Sequence, residues 1–274
     1  MKRRCALSLL TLAALVLLAA FALAPLVWML SLSLMPAGEA TALPPRLLPS
    51  APTLAHYEAL FAHLPLARAL ANSLLLASAA TGLGLVSNSM AGYAFAKLRF
   101  RGREFLSRAL LAALVIPGQV AMLPLFLLVK ELGLVNSYAG VLVPSLASIF
   151  GIFLVRQYVA GIPDALLDAA RLDGAGELRV FTAVVLPLGR PVLVTLGTFT
   201  FLGAWNDFLW PLVVLGDERL QPLPVALASL LGEHTPDVEI LMAGAVLTVM
   251  PVVVLFLLLQ RYYLQGILSG SLRG

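Results

Sequence analysis

The chain has 274 residues, 61% of them hydrophobic and only 12% charged, with a formal net charge of +4 and a mean hydropathy of +0.98. A soluble domain carries roughly 25% charged residues, so this composition excludes an ordinary soluble fold and points to an integral membrane protein. Its single cysteine, Cys5, excludes an internal disulfide and cannot alone make a zinc site.

Apolar residues come in unbroken runs rather than in alternation. That favours an all-α, polytopic membrane bundle over a barrel. A crossing needs ~20 apolar residues, so this length accommodates about six helices joined by short loops. The expected organisation is residues 1–68, a first crossing with an external loop, followed by 69–274, a core of five crossings with a polar insert at 161–191 and a C-terminal tail.

The first element is basic (Lys2, Arg3, Arg4) and then uncharged from Cys5 to Gly38. Ala22-x-Ala24 resembles a leader cleavage site, but a leader's apolar region is roughly 7–15 residues. This run is much longer and is read as a retained first span. Residues Ala37 to Ala67 hold Pro44, Pro45, Pro49, Pro52 and Pro65, the pattern of an irregular external loop, with a short helix expected around His56 to Phe61. His56 and His63 lie seven apart with no cysteine nearby, a spacing better suited to loop packing than to a metal; no metal site is expected.

The second span is Ala69 to Ala96, where Gly82, Gly84, Gly92 and several serines allow close helix approach. Asn72 and Asn88 are costly in lipid and should face the bundle or a pathway. Interhelical hydrogen bonding and solute contact are both open readings for them. The basic stretch from Lys97 to Arg108, with Phe100 and Phe105 between its charges, reads as a cytoplasmic loop rather than a nucleic-acid patch. Ala109 to Val129 is the third span, interrupted by Pro117-Gly118 and Pro124. Tyr138 to Val155 is the fourth, with Pro144 and Gly151.

The polar insert follows. Pro163 suits a first helical turn, Asp164 favours the positive end of the helix dipole, and Ala165 to Leu172 are mostly strong helix formers. Asp168 and Arg171, three apart, share a face. Ala169 and Ala170 leave a low ridge that another protein can approach. Gly174 and Gly176 are placed to end the helix, and Leu186-Pro187 to mark a break before the fifth span, Val192 to Leu215. The end of that span, Trp205-Asn206-Asp207-Phe208-Leu209-Trp210, sets an Asn-Asp pair between tryptophans. Asp207, within an apolar run, is a functional candidate beside Asn206; an interfacial aromatic belt with Asp207 capping nearby is the other reading. Ile240 to Gln260 is the sixth span, after an external segment with Asp217, Glu218, Glu233, Asp237 and Glu239.

Cation placement orients these spans. With six crossings and an internal start, Arg46, Arg68, Lys130 and Arg219 fall outside. The remaining lysines and arginines, of 18 in all, fall inside. That asymmetry follows the positive-inside rule, places both termini in the cytoplasm and puts the polar insert there too.

Asp168-Ala169-Ala170, then Gly174, then Val184-x-Leu186-Pro187 resembles the EAA loop of ABC-transporter permease subunits. Asp168 stands for the usual Glu and Val184 for the usual Ile. The Ala91-Gly92-Tyr93-Ala94-Phe95-Ala96-Lys97 run, the Trp205 to Leu212 stretch and the tail from Arg261 are similar to the carbohydrate-importer, maltose-permease-type branch. The resemblance covers roughly Ala69 onward. It implies that the loop helix is a coupling helix seated in a cleft of an ATPase, with Asp164, Asp168, Ala169, Ala170, Arg171, Asp173, Gly174, Leu186 and Pro187 in the coupling segment. It also implies a second, homologous permease subunit, two ATP-binding subunits, an external solute-binding protein and an inner-membrane location.

The three lysines (Lys2, Lys97 and Lys130) are none of them preceded by Gly, so the chain has no P-loop; ATP is expected on the partners and no cofactor here. The expected function is half of a translocation pathway for a sugar, with Asn72, Asn88, Asn206 and Asp207 as pathway candidates. An importer for another solute, such as a glycerol phosphate ester, is the alternative. An ion-coupled carrier would need buried midplane carboxylates or histidines, and the spans hold only Asp207. Catalysis has no residue constellation to support it, and the chain is read as a non-enzyme.

Overall fold

The computed structural model describes residues 2–229 and 237–271. Among these the secondary structure is entirely helical. In chain order come α1 (Lys2–Ser33), α2 (Ala55–His63), α3 (Leu66–Lys97), α4 (Arg103–Ala113), α5 (Gly118–Glu131), α6 (Tyr138–Leu142), α7 (Ile149–Ala160), α8 (Asp164–Leu172), α9 (Glu177–Val180), α10 (Leu186–Leu188), α11 (Arg190–Trp205), α12 (Leu209–Val214), α13 (Leu223–Ala228) and α14 (Val238–Ser271). Glu233, Arg273 and Gly274 lie outside the described residues, as does the side chain of His63.

Four of these stretches are long and apolar enough to cross a membrane: Leu9–Ser33, Leu66–Lys97, Tyr138–Ala160 and Val238–Leu258. The number rises to six if each of two bent helix pairs counts as one crossing.

The first bent pair is α4 and α5, turned by 111°. At 1.5 Å per residue, 11 residues reach only about 16 Å, well short of a ~30 Å hydrocarbon core. The expected interruption at Pro117-Gly118 is there. Pro124, however, does not interrupt: it lies inside α5. The helix also begins earlier than expected, at Arg103, so half of the basic loop is helical.

The fourth span is not one helix. A 3-10 turn, Val143–Leu146, links α6 to α7. Ser148 restarts the helix by accepting from the Gly151 N–H at 3.1 Å. The fifth span also differs from the expectation: α11 stops at Trp205, and Asp207 Oδ1 accepts from Trp210 N at 3.4 Å as α12 begins.

The second bend, 83°, lies between residues 177–188 and α11. Leu186-Pro187 was expected to mark it, but the helix runs through Pro187 and turns at Gly189. Residues Phe181–Val185 form a π-helical turn just before. Pro187 has no N–H to offer the preceding turn, and the wider π register is one way for a helix to carry such a gap.

The chain packs as two compact units, residues 1–66 with 226–253, and residues 67–225 with 254–274. In the first, Met35 and Leu60 are buried. His56 Nε2 donates to the Met35 carbonyl at 2.8 Å, and Glu239 accepts from Ala40 N at 2.9 Å. His56 is therefore a packed residue of α2, and no group of three His, Cys, Asp or Glu among the described residues could hold a metal. In the second unit the main core gathers Tyr93, Val155, Val159, Ile162, Leu167, Val180, Phe181, Val185 and Leu196. Gly92 lets α3 and α7 meet: a Cβ there would stand 2.7 Å from Val155 Cβ.

Candidate functional site

The polar insert folds as a short helix, α8, standing on that core. Its start is one residue later than the composition suggests: Pro163 is the cap and Asp164 the first helical residue. Its end is a Schellman turn. Ala175 N donates to the Ala170 carbonyl and Gly174 N to that of Arg171, each at 3.0 Å. Gly174 has φ +84°, a conformation that a side chain would strain.

One face of α8 points inward. Leu167 is 1% exposed and sits in the core between the ends of α3 and α7 and the π turn. Ala170, one turn on, packs against the same cluster. The low ridge expected from Ala169 and Ala170 is therefore split: Ala169 is exposed and Ala170 is turned toward the core. The outer face consists of Ala165, Leu166, Asp168, Ala169, Leu172 and Asp173, all exposed.

Ionic contacts fix the helix at both ends. Lys97, the last residue of α3, donates to Asp164 Oδ1 at 2.7 Å and to the Ile162 carbonyl at 2.6 Å. Lys97 thus ties the exit of α7 and the start of α8 to α3. At the other end Arg171 bonds Asp168 Oδ1 at 2.9 Å and Glu177 Oε1 at 2.9 Å. Tyr93 donates its hydroxyl to Glu177 Oε2 at 2.5 Å. Asp164 is held below its ordinary 3.8, chiefly by the Lys97 hydrogen bond, and Arg171 is pushed upward by Glu177 and then Asp168. Both shifts favour the charged forms of Asp164 and Arg171.

From sequence, Tyr93 and Lys97 stand out only as part of the Ala91 to Lys97 run and the basic stretch, with no role in the coupling segment, and Glu177 does not stand out. Tyr93 and Lys97 are four apart at the end of α3 and so share a face. Their partners lie 84 and 67 residues away, beyond the reach of any local pattern. Leu186 packs against the same core cluster, and Pro187 is exposed on the short helix that leads to the Gly189 turn.

The four polar candidates in the spans divide into two kinds. Asn72, 5% exposed, donates Nδ2 to the carbonyls of Arg219 at 3.0 Å and Gln221 at 2.9 Å, and accepts from the Tyr138 hydroxyl at 2.7 Å. Asn88, 1% exposed, donates to the Gly84 carbonyl at 2.7 Å and accepts from Ser148 N at 2.8 Å. Both spend their polar atoms inside the subunit. Asn206 is exposed and donates to the Leu202 carbonyl at 2.9 Å. Asp207 lines two cavities, of about 190 Å³ and about 420 Å³, with Val141 and Ser145 on the wall of each. Of the two tryptophans, Trp205 is buried and stacked on Phe201 at 6.0 Å; Trp210 donates Nε1 to the Gly140 carbonyl at 3.3 Å.

A family model described as "Binding-protein-dependent transport system inner membrane component" matches residues 88–269. The chain is 41% identical over 203 residues to the arabinooligosaccharides transport system permease protein AraQ of Halalkalibacterium halodurans, covering 74% of this chain and 73% of that one. It is 38% identical to the protein of the same name from Bacillus subtilis, covering 74% and 72%. A chain from the crystal structure of a bacterial ABC transporter that imports alginate superposes with a TM-score of 0.82 at 24% identity, covering 96% of this chain and 98% of that one. That last likeness is one of fold.

Proposed function

The chain belongs to the binding-protein-dependent transport system inner membrane component family, and from that premise we propose that it forms half of the translocation pathway of an ATP-driven sugar importer. Both AraQ relatives carry the name of an oligosaccharide transport system, which supports a sugar, of oligosaccharide class, as the solute. The chain crosses the membrane several times. In this reading the crossings number six, with α5 as the body of the third and both termini in the cytoplasm. It is a non-enzyme that binds no cofactor; two partner ATPases bind ATP, a second permease subunit completes the pathway, and an external binding protein delivers the solute.

The observation that carries this is the construction of α8. One face is fastened by Leu167, Lys97 and the Tyr93–Glu177–Arg171 chain, and the other, with Ala165, Leu166, Asp168, Ala169, Leu172 and Asp173, is left open. A short helix held so firmly on one side transmits displacement instead of absorbing it. ATPase closure against the open face moves the core cluster, and with it the ends of α3, α7 and α11. At the far end Asn72, and farther along α3 Asn88, hold the spans in register, while Asn206 and Asp207 at the α11–α12 break are the residues assigned to the pathway.

The test is uptake per ATP hydrolysed in vesicles that hold the whole importer. Asp168→Lys should lower that ratio about tenfold, the equivalent of ~1.4 kcal/mol of lost coupling, at unchanged membrane insertion. Gly174→Pro should do the same, because proline is confined to φ near −65°. A wild-type ratio in both variants would remove α8 from the mechanism.

A further inference from the structure

The helix α4 plays no part in the coupling described above, and its surface is unusual. None of its residues is buried. Its residues divide cleanly at 100° per residue. Arg103, Glu104, Ser107, Arg108 and Leu111 fill one arc, and Phe105, Leu106, Ala109, Leu110, Ala112 and Ala113 fill the other. Phe105 is 75% exposed. The helix is too short to cross a bilayer, and it turns by 111° from α5. A short amphipathic helix beside a span, with Phe105, Leu106 and Ala109 exposed on its apolar side, has the form of an element lying in the membrane interface.

The polar arc opens onto a cavity of about 720 Å³ whose walls include Arg99, Phe100, Arg103, Phe105, Arg108 and Arg156. Such a volume lies in the roughly 300–1,000 Å³ range of small-ligand sites. Glu104 is the one carboxylate on the wall, and Arg108 occupies it at 2.6 Å. Arg103 donates to the Leu98 carbonyl at 3.1 Å. Arg156 lies over the Phe153 ring at 5.3 Å. Among the described residues, Arg99, Arg103 and Arg156 have no carboxylate in salt-bridge contact. Three guanidinium groups without a salt-bridge partner among the described residues line one cavity beside the apolar arc of α4, Arg99 having only a longer-range influence on Asp164. Guanidinium forks suit phosphate oxygens, and basic pockets beside spans suit anionic headgroups.

We propose that this cavity holds the phosphate headgroup of an anionic phospholipid of the cytoplasmic leaflet, its acyl chains lying along the Phe105–Leu106–Ala109 face of α4. The proposal goes beyond the sugar-import reading and does not depend on the solute. Headgroup and helix face are matched in charge and in apolarity, and the bound lipid supplies the salt-bridge partner that Arg99, Arg103 and Arg156 lack among the described residues.

The test uses the assembled importer in nanodiscs with spin-labelled phosphatidylglycerol or phosphatidylcholine as probe, read as the motionally restricted lipid fraction. Wild-type protein should prefer phosphatidylglycerol about fivefold, the effect expected of roughly one well-placed arginine–phosphate contact near a membrane surface. The Arg99→Gln/Arg103→Gln/Arg156→Gln variant should show no preference. Arg179→Gln, on the same side but away from the cavity, should keep it. If the triple variant does not accumulate, Arg156→Gln alone should lower the preference at least about twofold, the share of one of several contacts. Equal binding of the two lipids by wild-type protein, an unchanged preference in the cavity variants, or an equal loss in Arg179→Gln would each overturn the proposal. So would displacement of the lipid by excess inorganic phosphate, which would make the site one for a free anion. A nitroxide at Phe105→Cys in a Cys5→Ser background should be reached by oxygen and not by an aqueous nickel chelate. Shielding from both would mean that a protein partner covers α4, and the lipid assignment would fall.

Discussion

The two ends of α3 are fastened by opposite chemistry. At one end Asn72 and Ser73 hold the 219–223 segment through neutral hydrogen bonds, part-buried from Asn72 to the carbonyls of Arg219 and Gln221 and buried from Leu223 N to Ser73 at 2.7 Å. At the other end Tyr93 and Lys97 hold α8 through charged partners, with Asp164 and Glu177 largely exposed on the outer side of the contact. A neutral amide clamp in a dry setting is indifferent to salt and pH and expensive to open. A partly solvated ionic clamp contributes less and yields to ionic strength. The first suits a fixed joint between spans. The second suits a joint that is loaded and released in every cycle, with the apolar seat of Leu167 bearing the steady part of the load.

The sharpest way to break this contrast is to empty that seat. Leu167→Ala removes a fully buried side chain and should cost about 2–5 kcal/mol, concentrated at the α8 end. Hydrogen exchange should show α8 and the π turn losing protection while residues 72–85 keep theirs. Equal loss at both ends would mean that α3 is not a divided shaft. Asn72→Ala should come next, at about 1–3 kcal/mol for the partners it strands. Its effect should be confined to the opposite end, seen as a lower unfolding temperature with coupling per ATP unchanged.

The smallest effect is environmental. Raising salt from 0.1 to 1 M shortens the screening length from about 10 Å to about 3 Å, and should loosen the α8 amides without touching the Asn72 joint. Asp164 is held below 3.8 by Lys97. A carboxylate with a depressed folded-state pKa stabilises fully above its unfolded value and loses that contribution as pH falls through the folded one. Protection of α8, corrected for intrinsic exchange, should therefore stay flat from about pH 5 to 8 and fall only in the acid range, as the depressed Asp164 and Glu177 carboxylates take up protons. A transition near pH 6 would point to a histidine or another group in place of this pair.

What was legible in the sequence follows the range of the interactions. The apolar runs of α1, α3 and α14, and the short α2, come from local composition. So do the start and stop of α8, because Pro163, Asp164 and Gly174 act on their own backbone or the next turn. The breaks were harder. Pro117 stands at a break, capping the start of α5, and Pro124 does not, although both are prolines in apolar sequence; α5 carries Pro124 in its interior. The interruption before α7 depends on Asn88, which receives the Ser148 N–H from 60 residues away. Likewise, Lys97 and Tyr93 acquire their meaning from Asp164 and Glu177, which only the folded chain brings near. The inward turn of Ala170 was hidden for a related reason: two adjacent alanines look equivalent until a packed neighbour selects one.

The most direct test of the lever is a cysteine at its outermost apolar position, Leu172, which is 89% exposed in the subunit. In the reconstituted importer, Leu172→Cys in a Cys5→Ser background should cross-link to the ATPase subunit, with a yield that changes between nucleotide-free and ATP-bound states. It should be closed to a membrane-impermeant thiol reagent added from outside. Labelling from the outside, or no cross-link in any nucleotide state at full assembly, would contradict the account.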